Sequence, residues 1–222
     1  AQSHPQARLH LSVQAAAATP EAIRFYTEAF GVKRVVLPRV LTVAEIASIN
    51  AAIDCETEVF VFGGLCVMAE GRCSLSSYAT GKSPNMSGVC SPPSHVSYCG
   101  EGDEYVARLG GFTINRIPRE EPAAYPTLCK GRFVAGNASG YIFEDPVSLN
   151  AGALLPGLAK AGVTALKIEG RQRGRAYIAA VVKAFRQAVD AMAAGHAVDL
   201  DRLLALAEGQ SATQGAYAKT WR

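Results

Sequence analysis

Four of the six cysteines lie in one polar stretch of the chain, and their side chains are the clearest candidates for chemistry. Cys66, Cys73, Cys90 and Cys129 follow the spacing C-x6-C-x16-C-x38-C. A structural zinc site prefers close pairs such as C-x2-C, and no two cysteines of this sequence are spaced in that way. An iron–sulfur cluster accepts ligands from well-separated loops, so the spacing favours such a cluster over zinc. Scattered buried thiols are the alternative, because free cysteine is commonly buried.

Composition, net charge and the lengths of the apolar runs exclude several classes of protein. The 222 residues are 49% hydrophobic and 18% charged, which is typical of a chain that buries a core. The net charge of +3 is mild and the basic residues are not clustered, so we expect no nucleic-acid partner. No apolar run reaches the roughly 18 residues of a membrane span, and no secretory signal opens the chain. We therefore expect a cytoplasmic protein with no membrane span and with reduced thiols.

The elements that must position the cysteines follow a strand–helix rhythm. Thr19-Pro20 starts a helix that ends at Gly31, and Thr42 with Glu45 forms a capping box that starts another. Strands precede and follow these helices, with a period of about 24 residues that indicates parallel βα units. The three predicted strands are Arg8–Gln14, Lys33–Leu37 and Glu58–Phe62.

After the third strand the rhythm is interrupted, and it resumes near residue 147. We predict a helix from about Val147 to Ala161, a strand over Val163–Glu169 and a long helix from about Gln172 to Ala194. Four βα units cannot close a barrel, because an eight-stranded barrel needs about 250 residues. The fold class is therefore α/β, either an open sheet or the C-terminal half of a TIM-like (β/α)8 barrel, with a long cysteine-bearing insertion after the third strand.

The half-barrel interpretation divides the chain into four parts. Residues 1–64 form βα units of a partial barrel, and residues 65–146 form the insertion. Residues 147–195 form the closing βα units, and residues 196–222 form a C-terminal tail. The insertion follows the carboxyl end of a parallel strand, and sites in both barrels and open sheets are built at that edge.

A second group of candidate residues comes from the strand Val163–Glu169. Period two places Lys167 and Glu169 on one face of the strand, with Arg171 just beyond it. Buried charges are costly unless they are paired. Lys167 and Glu169 therefore form a structural ion pair, or they join Arg171 in a site for an anionic substrate. By the same alternation Gln14 ends the first strand and is a further candidate for substrate binding.

The segments around the cysteines resemble the collagenase-like (U32) peptidase superfamily, and within it they are most similar to the UbiU family. The resemblance covers nearly the whole chain, and the four-cysteine spacing matches that family in every gap. The segments that carry it include Gly64–Cys66, Glu70–Tyr78, Gly81–Asn85, Tyr125–Arg132, His10–Gln14, Arg34–Leu41 and Lys167–Arg173.

The resemblance implies a function. UbiU proteins are iron–sulfur subunits that hydroxylate the ring of ubiquinone precursors without dioxygen. The resemblance therefore implies a [4Fe–4S] cluster on Cys66, Cys73, Cys90 and Cys129, a heterodimer with a UbiV-like partner, and prephenate as the oxygen donor. It also implies that further βα units precede this chain. The alternatives are a tRNA or rRNA base hydroxylase of the same superfamily and a collagenase-like peptidase, although no nucleophile–base motif surrounds Ser76 or Ser77.

Overall fold

The chain forms two compact units in the computed structural model, which describes residues 3–66, 68, 70, 72–121, 125–143, 147–170, 173–207 and 211–218. One unit combines Ala1–Leu65 with Val147–Arg222, and the other is Cys66–Pro146. The boundaries 65 and 146 that the sequence suggests for the insertion lie beside those of the second unit. Among the described residues, no helix combines the length and apolar character that a membrane crossing requires.

The secondary structure alternates between strands and helices at both ends of the chain and is strand-rich in the middle. The strands, in chain order, are β1 (His10–Leu11), β2 (Arg34–Val36), β3 (Glu56–Gly64), β4 (Val96–Glu101), β5 (Glu104–Leu109), β6 (Phe112–Pro118), β7 (Arg132–Ala135), β8 (Ala138–Tyr141), β9 (Val147–Asn150), β10 (Ala165–Ile168) and β11 (Ser211–Thr213). The helices are α1 (Pro20–Phe30), α2 (Val43–Ala51), α3 (Ser74–Thr80), α4 (Pro84–Ser87), α5 (Leu155–Lys160), α6 (Arg175–Ala193) and α7 (Leu200–Leu204).

The first unit is built on a largely parallel sheet. β1 pairs with β2, β2 with β3 and β3 with β10, all in parallel register. β9 pairs antiparallel with the last residues of β3, and β11 runs parallel to β9. The predicted α/β class with a parallel sheet is therefore confirmed, as is the long excursion of the chain after the third strand.

Local signals determine where the first helices begin and end. The Thr19 hydroxyl accepts a hydrogen bond from the Ala22 amide at 3.2 Å, and Gly31 ends α1 at a φ of +68°. Thr42 and Glu45 form the reciprocal capping box at the start of α2. Both helix starts agree with the sequence prediction, because each depends on a side chain within three residues of the helix end.

Two predicted boundaries are wrong. The predicted helix from Val147 to Ala161 begins instead as β9, because Val147–Asn150 pairs with β3 and the Ala151 amide donates to the Val61 carbonyl at 2.8 Å. The predicted strand Arg8–Gln14 ends at Leu11. Gln14 lies in the 3-10 turn Val13–Ala15 because the Ser12 hydroxyl caps that turn and accepts from the Gln14 amide at 3.3 Å.

The core of the first unit forms where the helices pack on β3. Buried residues of four helices (Ile23, Ile46, Leu158 and Phe185) belong to one cluster with Val59 and Val61 of β3. Phe62 meets Phe185 edge-to-face, with 5.4 Å between the ring centroids. Fully burying one such side chain contributes about 1.5–3 kcal/mol, so this cluster is the main stabilising feature of the unit.

The second unit has a smaller apolar cluster. It contains the antiparallel sheet β4-β5-β6 and the hairpin β7-β8. Leu109, Ile114 and Leu128 form its buried centre, with Leu75, Ala79, Val96 and Phe133 packed around them. All six cysteines of the chain are free thiols, so the unit has no disulfide. Small units with little core are commonly stabilised by a bound metal or by disulfides.

Candidate metal centre

Cys73 is held at the start of α3 by the first turn of that helix. Its thiol accepts a hydrogen bond from the Ser76 amide at 3.3 Å. Its carbonyl accepts from the Ser77 hydroxyl at 3.0 Å and from the Ser77 amide at 3.2 Å. Both the main chain and the sulfur of Cys73 are therefore positioned by α3.

Cys90 lies in an irregular segment between α4 and the 3-10 turn Pro93–His95, and side chains from elsewhere hold its backbone. The Ser76 hydroxyl donates to the Cys90 carbonyl at 2.5 Å. The Tyr125 hydroxyl donates to the carbonyl of the next residue, Ser91, at 2.9 Å. Cys90 is exposed, so its position depends on these polar contacts.

Cys129 is positioned by a short turn. It lies in the 3-10 turn Leu128–Lys130, which contacts α3 and places Leu128 in the small core. Burial raises the pKa of the Cys129 thiol to about 12; the charge of Lys130 opposes the rise, and Cys90, Cys66 and Cys73 each add to it. The backbone of Cys129 is therefore tied to the same helix that positions Cys73.

The four predicted ligands share one unit of the structure. Cys66, Cys73, Cys90 and Cys129 all belong to Cys66–Pro146. Among the described residues, no set of three or more histidine, cysteine, aspartate or glutamate side chains is close enough to hold one metal ion. A zinc ion needs each thiolate sulfur at about 2.3 Å, whereas an iron–sulfur cluster is wider and takes thiolates from well-separated loops.

A buried hydroxyl beside Cys90 supports the same fit. Ser91 is 0% exposed, and within the part of the chain that the structure describes its hydroxyl has no hydrogen-bond partner. A buried polar group without a partner costs about 1–3 kcal/mol. Hydrogen bonds to sulfur are a regular feature of iron–sulfur sites. A cluster held by Cys90 would supply sulfur acceptors of the kind that this hydroxyl lacks.

The other two cysteines are placed differently. Cys55 belongs to the first unit, and burial, followed by the neighbouring charge of Glu56, raises the pKa of its thiol. Cys99 lies on β4 and is exposed. The family resemblance includes neither Cys55 nor Cys99 among the cluster ligands, and their role as ordinary thiols is a prediction.

Lys167 and Glu169, the predicted substrate residues of the first unit, take separate partners. Lys167 pairs with Glu58 of β3 at 2.9 Å. The Glu169 carboxylate accepts from the Gly64 amide at 3.4 Å, and the Glu169 amide donates to the Phe62 carbonyl at 2.8 Å. Glu58, rather than Glu169, is therefore the acid bound to Lys167. Arg171 lies outside the described residues.

The Lys167–Glu58 pair is one end of a row of ion pairs that the sequence did not reveal. This charged row consists of Lys167, Glu58, Arg34, Glu56 and Arg8. Arg34 of β2 pairs with Glu56 at 2.8 Å and with Glu58 at 3.6 Å, and Arg8 also pairs with Glu56. Hydrogen bonds from Arg8 and then Arg34 lower the pKa of Glu56. The sequence pattern Glu56-Thr57-Glu58 could have revealed this row, because alternate residues of a strand lie on the same face. In the structure Thr57 is buried, while Glu56 and Glu58 on the opposite face are partly exposed.

Arg39 is a further residue missed by the sequence analysis. It follows β2, and its guanidinium lies 3.6 Å from the centre of the Phe60 ring. Lys167 lies 5.8 Å from the centre of the same ring. Two cations from either side of β3 thus meet Phe60 near the carboxyl ends of the parallel strands, the edge where α/β proteins bind ligands.

The two units thus define a class: a mixed α/β protein with a parallel sheet and a separate cysteine-bearing unit. The sequence profile of peptidase family U32 matches residues 1–219. The chain therefore belongs to peptidase family U32, which confirms the resemblance at the level of the family.

Curated relatives are named for RNA hydroxylation. The chain is 34% identical over 219 residues to tRNA hydroxylation protein P of Escherichia coli (strain K12), covering 90% of this chain and 48% of that protein. It is 30% identical to tRNA hydroxylation protein P1 of Bacillus subtilis (strain 168), covering 86% of this chain and 39% of that protein. It is also 30% identical to the 23S rRNA 5-hydroxycytidine C2501 synthase of Escherichia coli (strain K12), covering 85% of this chain and 24% of that protein.

The chain spans at most about half the length of these curated relatives. No solved structure matches it significantly.

Proposed function

We propose that this chain is the iron–sulfur part of a family U32 hydroxylase whose substrate is an RNA base. The iron–sulfur site is supported by Ser76, which donates both to the Cys73 sulfur and to the Cys90 carbonyl, and by the placement of all four cysteines in one unit. The RNA substrate is supported by the names of the relatives, which concern tRNA and rRNA hydroxylation. This proposal departs from the sequence-based expectation of a ubiquinone precursor as substrate and of no nucleic-acid partner.

In this proposal the four cysteines hold a [4Fe–4S] cluster. When bound, such a cluster supplies one-electron chemistry. The chain's own contribution is to fix the thiolates through α3 and through the 3-10 turn at Cys129. The apolar contacts of Leu128 keep that turn in place.

We propose that the parallel strands β1, β2, β3 and β10 form part of a TIM-like (β/α)8 barrel whose remaining βα units lie outside this chain. One face of β3 is buried at Val59 and Val61. The other face begins with the charged row of Glu56 and Glu58. Parallel sheets are normally covered on both faces. Barrel closure encloses the charged row, and Lys167 then faces the interior, where an anionic group of the substrate or oxygen donor binds.

A second candidate function is ubiquinone hydroxylation with a UbiV-like partner and prephenate as oxygen donor. The observation that favours it is the gap of 38 residues between Cys90 and Cys129. That gap matches the UbiU spacing, whereas RNA-modifying members bring their last two cluster cysteines close together.

Deletion of the gene separates the two candidates. We expect anaerobic cultures of the deletion strain to lose a hydroxylated nucleoside from tRNA or rRNA digests and to keep a normal ubiquinone content, both measured by mass spectrometry. Complementation with the Cys99→Ala gene restores the nucleoside, and the Cys129→Ala gene does not. Loss of ubiquinone with unchanged nucleosides contradicts the RNA proposal and supports the second candidate.

A further inference from the structure

We propose that Ser76 and Tyr125 form a clamp of two hydrogen bonds that positions Cys90, and that this clamp assembles three of the cysteines before the cluster binds. The inference rests on the proposed iron–sulfur site. The clamp consists of two hydrogen bonds, from the Ser76 hydroxyl to the Cys90 carbonyl and from the Tyr125 hydroxyl to the Ser91 carbonyl. Ser76 and Tyr125 are positioning residues in this proposal.

The backbone at Cys90 depends on hydrogen bonds from other segments because it lies outside regular secondary structure. The short helix α4 ends at Ser87, and Gly88 follows at a φ of +69°. Regular structure returns only at the 3-10 turn Pro93–His95. An exposed thiol on an irregular segment samples many positions unless its backbone is held.

Ser76 is suited to hold that backbone. It is 3% exposed and lies in the first turn of α3, so its side chain has little freedom. Its amide donates to the Cys73 sulfur at 3.3 Å while its hydroxyl donates to the Cys90 carbonyl at 2.5 Å. One buried residue thus contacts two of the predicted ligand residues. Its position therefore links the Cys73 sulfur to the Cys90 backbone.

Tyr125 holds the carbonyl of Ser91, the residue next to Cys90, through its hydroxyl. It precedes Cys129 by four residues, and its segment continues into the 3-10 turn that contacts α3. The two donors of the clamp therefore come from the segments that carry Cys73 and Cys129. Closing the clamp brings Cys73, Cys90 and Cys129 together, and it leaves the buried Ser91 hydroxyl beside the centre.

Preorganisation of this kind affects how strongly a metal site holds its metal. Groups that orient metal ligands typically change metal affinity by about 10–100-fold when they are mutated. Ser76→Ala and Tyr125→Phe each remove one hydroxyl and keep the rest of the side chain. Because both hydroxyls hold one segment, we expect their effects to be non-additive.

The test compares anaerobically purified, iron-loaded protein in seven forms: wild type, Ser76→Ala, Ser76→Thr, Tyr125→Phe, the double variant of Ser76→Ala with Tyr125→Phe, and two controls. The controls, Ser74→Ala and Tyr78→Phe, remove exposed hydroxyls from the same helix. Iron released to a chelator is followed over time, and the reduced cluster is examined by electron paramagnetic resonance. We expect each clamp variant to release iron roughly tenfold faster than the controls and to show an altered resonance spectrum. We expect the double variant to release iron faster than either single variant, but by less than the product of the two single effects. We expect Ser76→Thr, which keeps the hydroxyl, to release iron at the wild-type rate.

Two results overturn the clamp, and melting temperatures serve as the folding control. The first is that the clamp variants release iron at the same rate as the controls and show the same spectra. That result overturns the clamp but leaves the iron–sulfur site standing, because the wild type still holds its cluster. A wild type that binds no iron overturns the iron–sulfur site and the clamp together. Equal melting temperatures of the metal-free wild type and variants show that faster release does not come from misfolding. If Ser76→Ala fails to fold, the clamp is tested with Ser76→Thr and Tyr125→Phe. Normal iron retention by Tyr125→Phe then contradicts the clamp.

Discussion

Replacing Cys129 by alanine is expected to remove most of the iron from the protein. Cys129 belongs to the same unit as Cys66, Cys73 and Cys90, and it lies in a turn fixed by the buried Leu128. In the proposed site, loss of this ligand leaves three thiolates and an open position. We expect the iron content after anaerobic purification to fall by at least about tenfold, since even groups that only orient ligands cost that much.

The matched control for this variant is Cys99→Ala. Cys99 lies in the same unit, on β4, and is exposed. We expect its replacement to leave the iron content and the absorption spectrum unchanged. Normal iron content in Cys129→Ala, or an equal loss of iron in Cys99→Ala, contradicts the assignment of the four ligands.

Replacing Gly63 by alanine is expected to destabilise the first unit strongly. Gly63 has a φ of +112°, and a Cβ at this position lies 2.3 Å from the Glu169 carbonyl oxygen. The backbone of Glu169 cannot move away easily, because its amide donates to the Phe62 carbonyl at 2.8 Å. Backbone strain and overpacking together cost roughly 3–5 kcal/mol, so we expect a clear fall in the urea concentration at the midpoint of unfolding.

Gly64→Ala is the control for Gly63→Ala, because the two positions are adjacent on β3. A Cβ at Gly64 lies 3.5 Å from the nearest Glu169 carboxylate oxygen, which is an ordinary contact. We expect Gly64→Ala to change the free energy of unfolding by less than about 1 kcal/mol. Similar unfolding midpoints for the two variants contradict the proposed close approach between β3 and the end of β10.

The features predicted well from the sequence are those that depend on neighbouring residues. The starts of α1 and α2 depend on caps within three residues, and Thr19 and Thr42 both form them. The parallel strands were recognisable because the strand–helix period repeated three times before the chain left the sheet. The prediction that the four widely spaced cysteines share one ligand stays a prediction.

The features predicted badly depend on pairing between distant segments. Val147–Asn150 reads locally as the start of a helix, but pairing with the end of β3 makes it a strand. Lys167 was assigned Glu169 as its ion-pair partner by period two along one strand. Its partner Glu58 lies on the neighbouring strand, and only the register of β3 and β10 reveals that contact.

Helix α6 shows why a buried face is hard to recognise from hydropathy alone. Val182 is apolar, yet its side chain is 49% exposed. The buried residues of α6 are Val181, Ala184, Phe185 and Ala188, and two of these are alanines. Alanine gives a weak hydropathy signal, but it allows close approach of a helix to a sheet.

The most direct test of this account is the metal content of the protein purified without air. We expect a brown protein with broad absorbance near about 400 nm and about four irons with about four sulfides per chain, as a [4Fe–4S] cluster requires. A colourless protein that holds a single zinc ion, or no metal after anaerobic reconstitution with iron and sulfide, contradicts it.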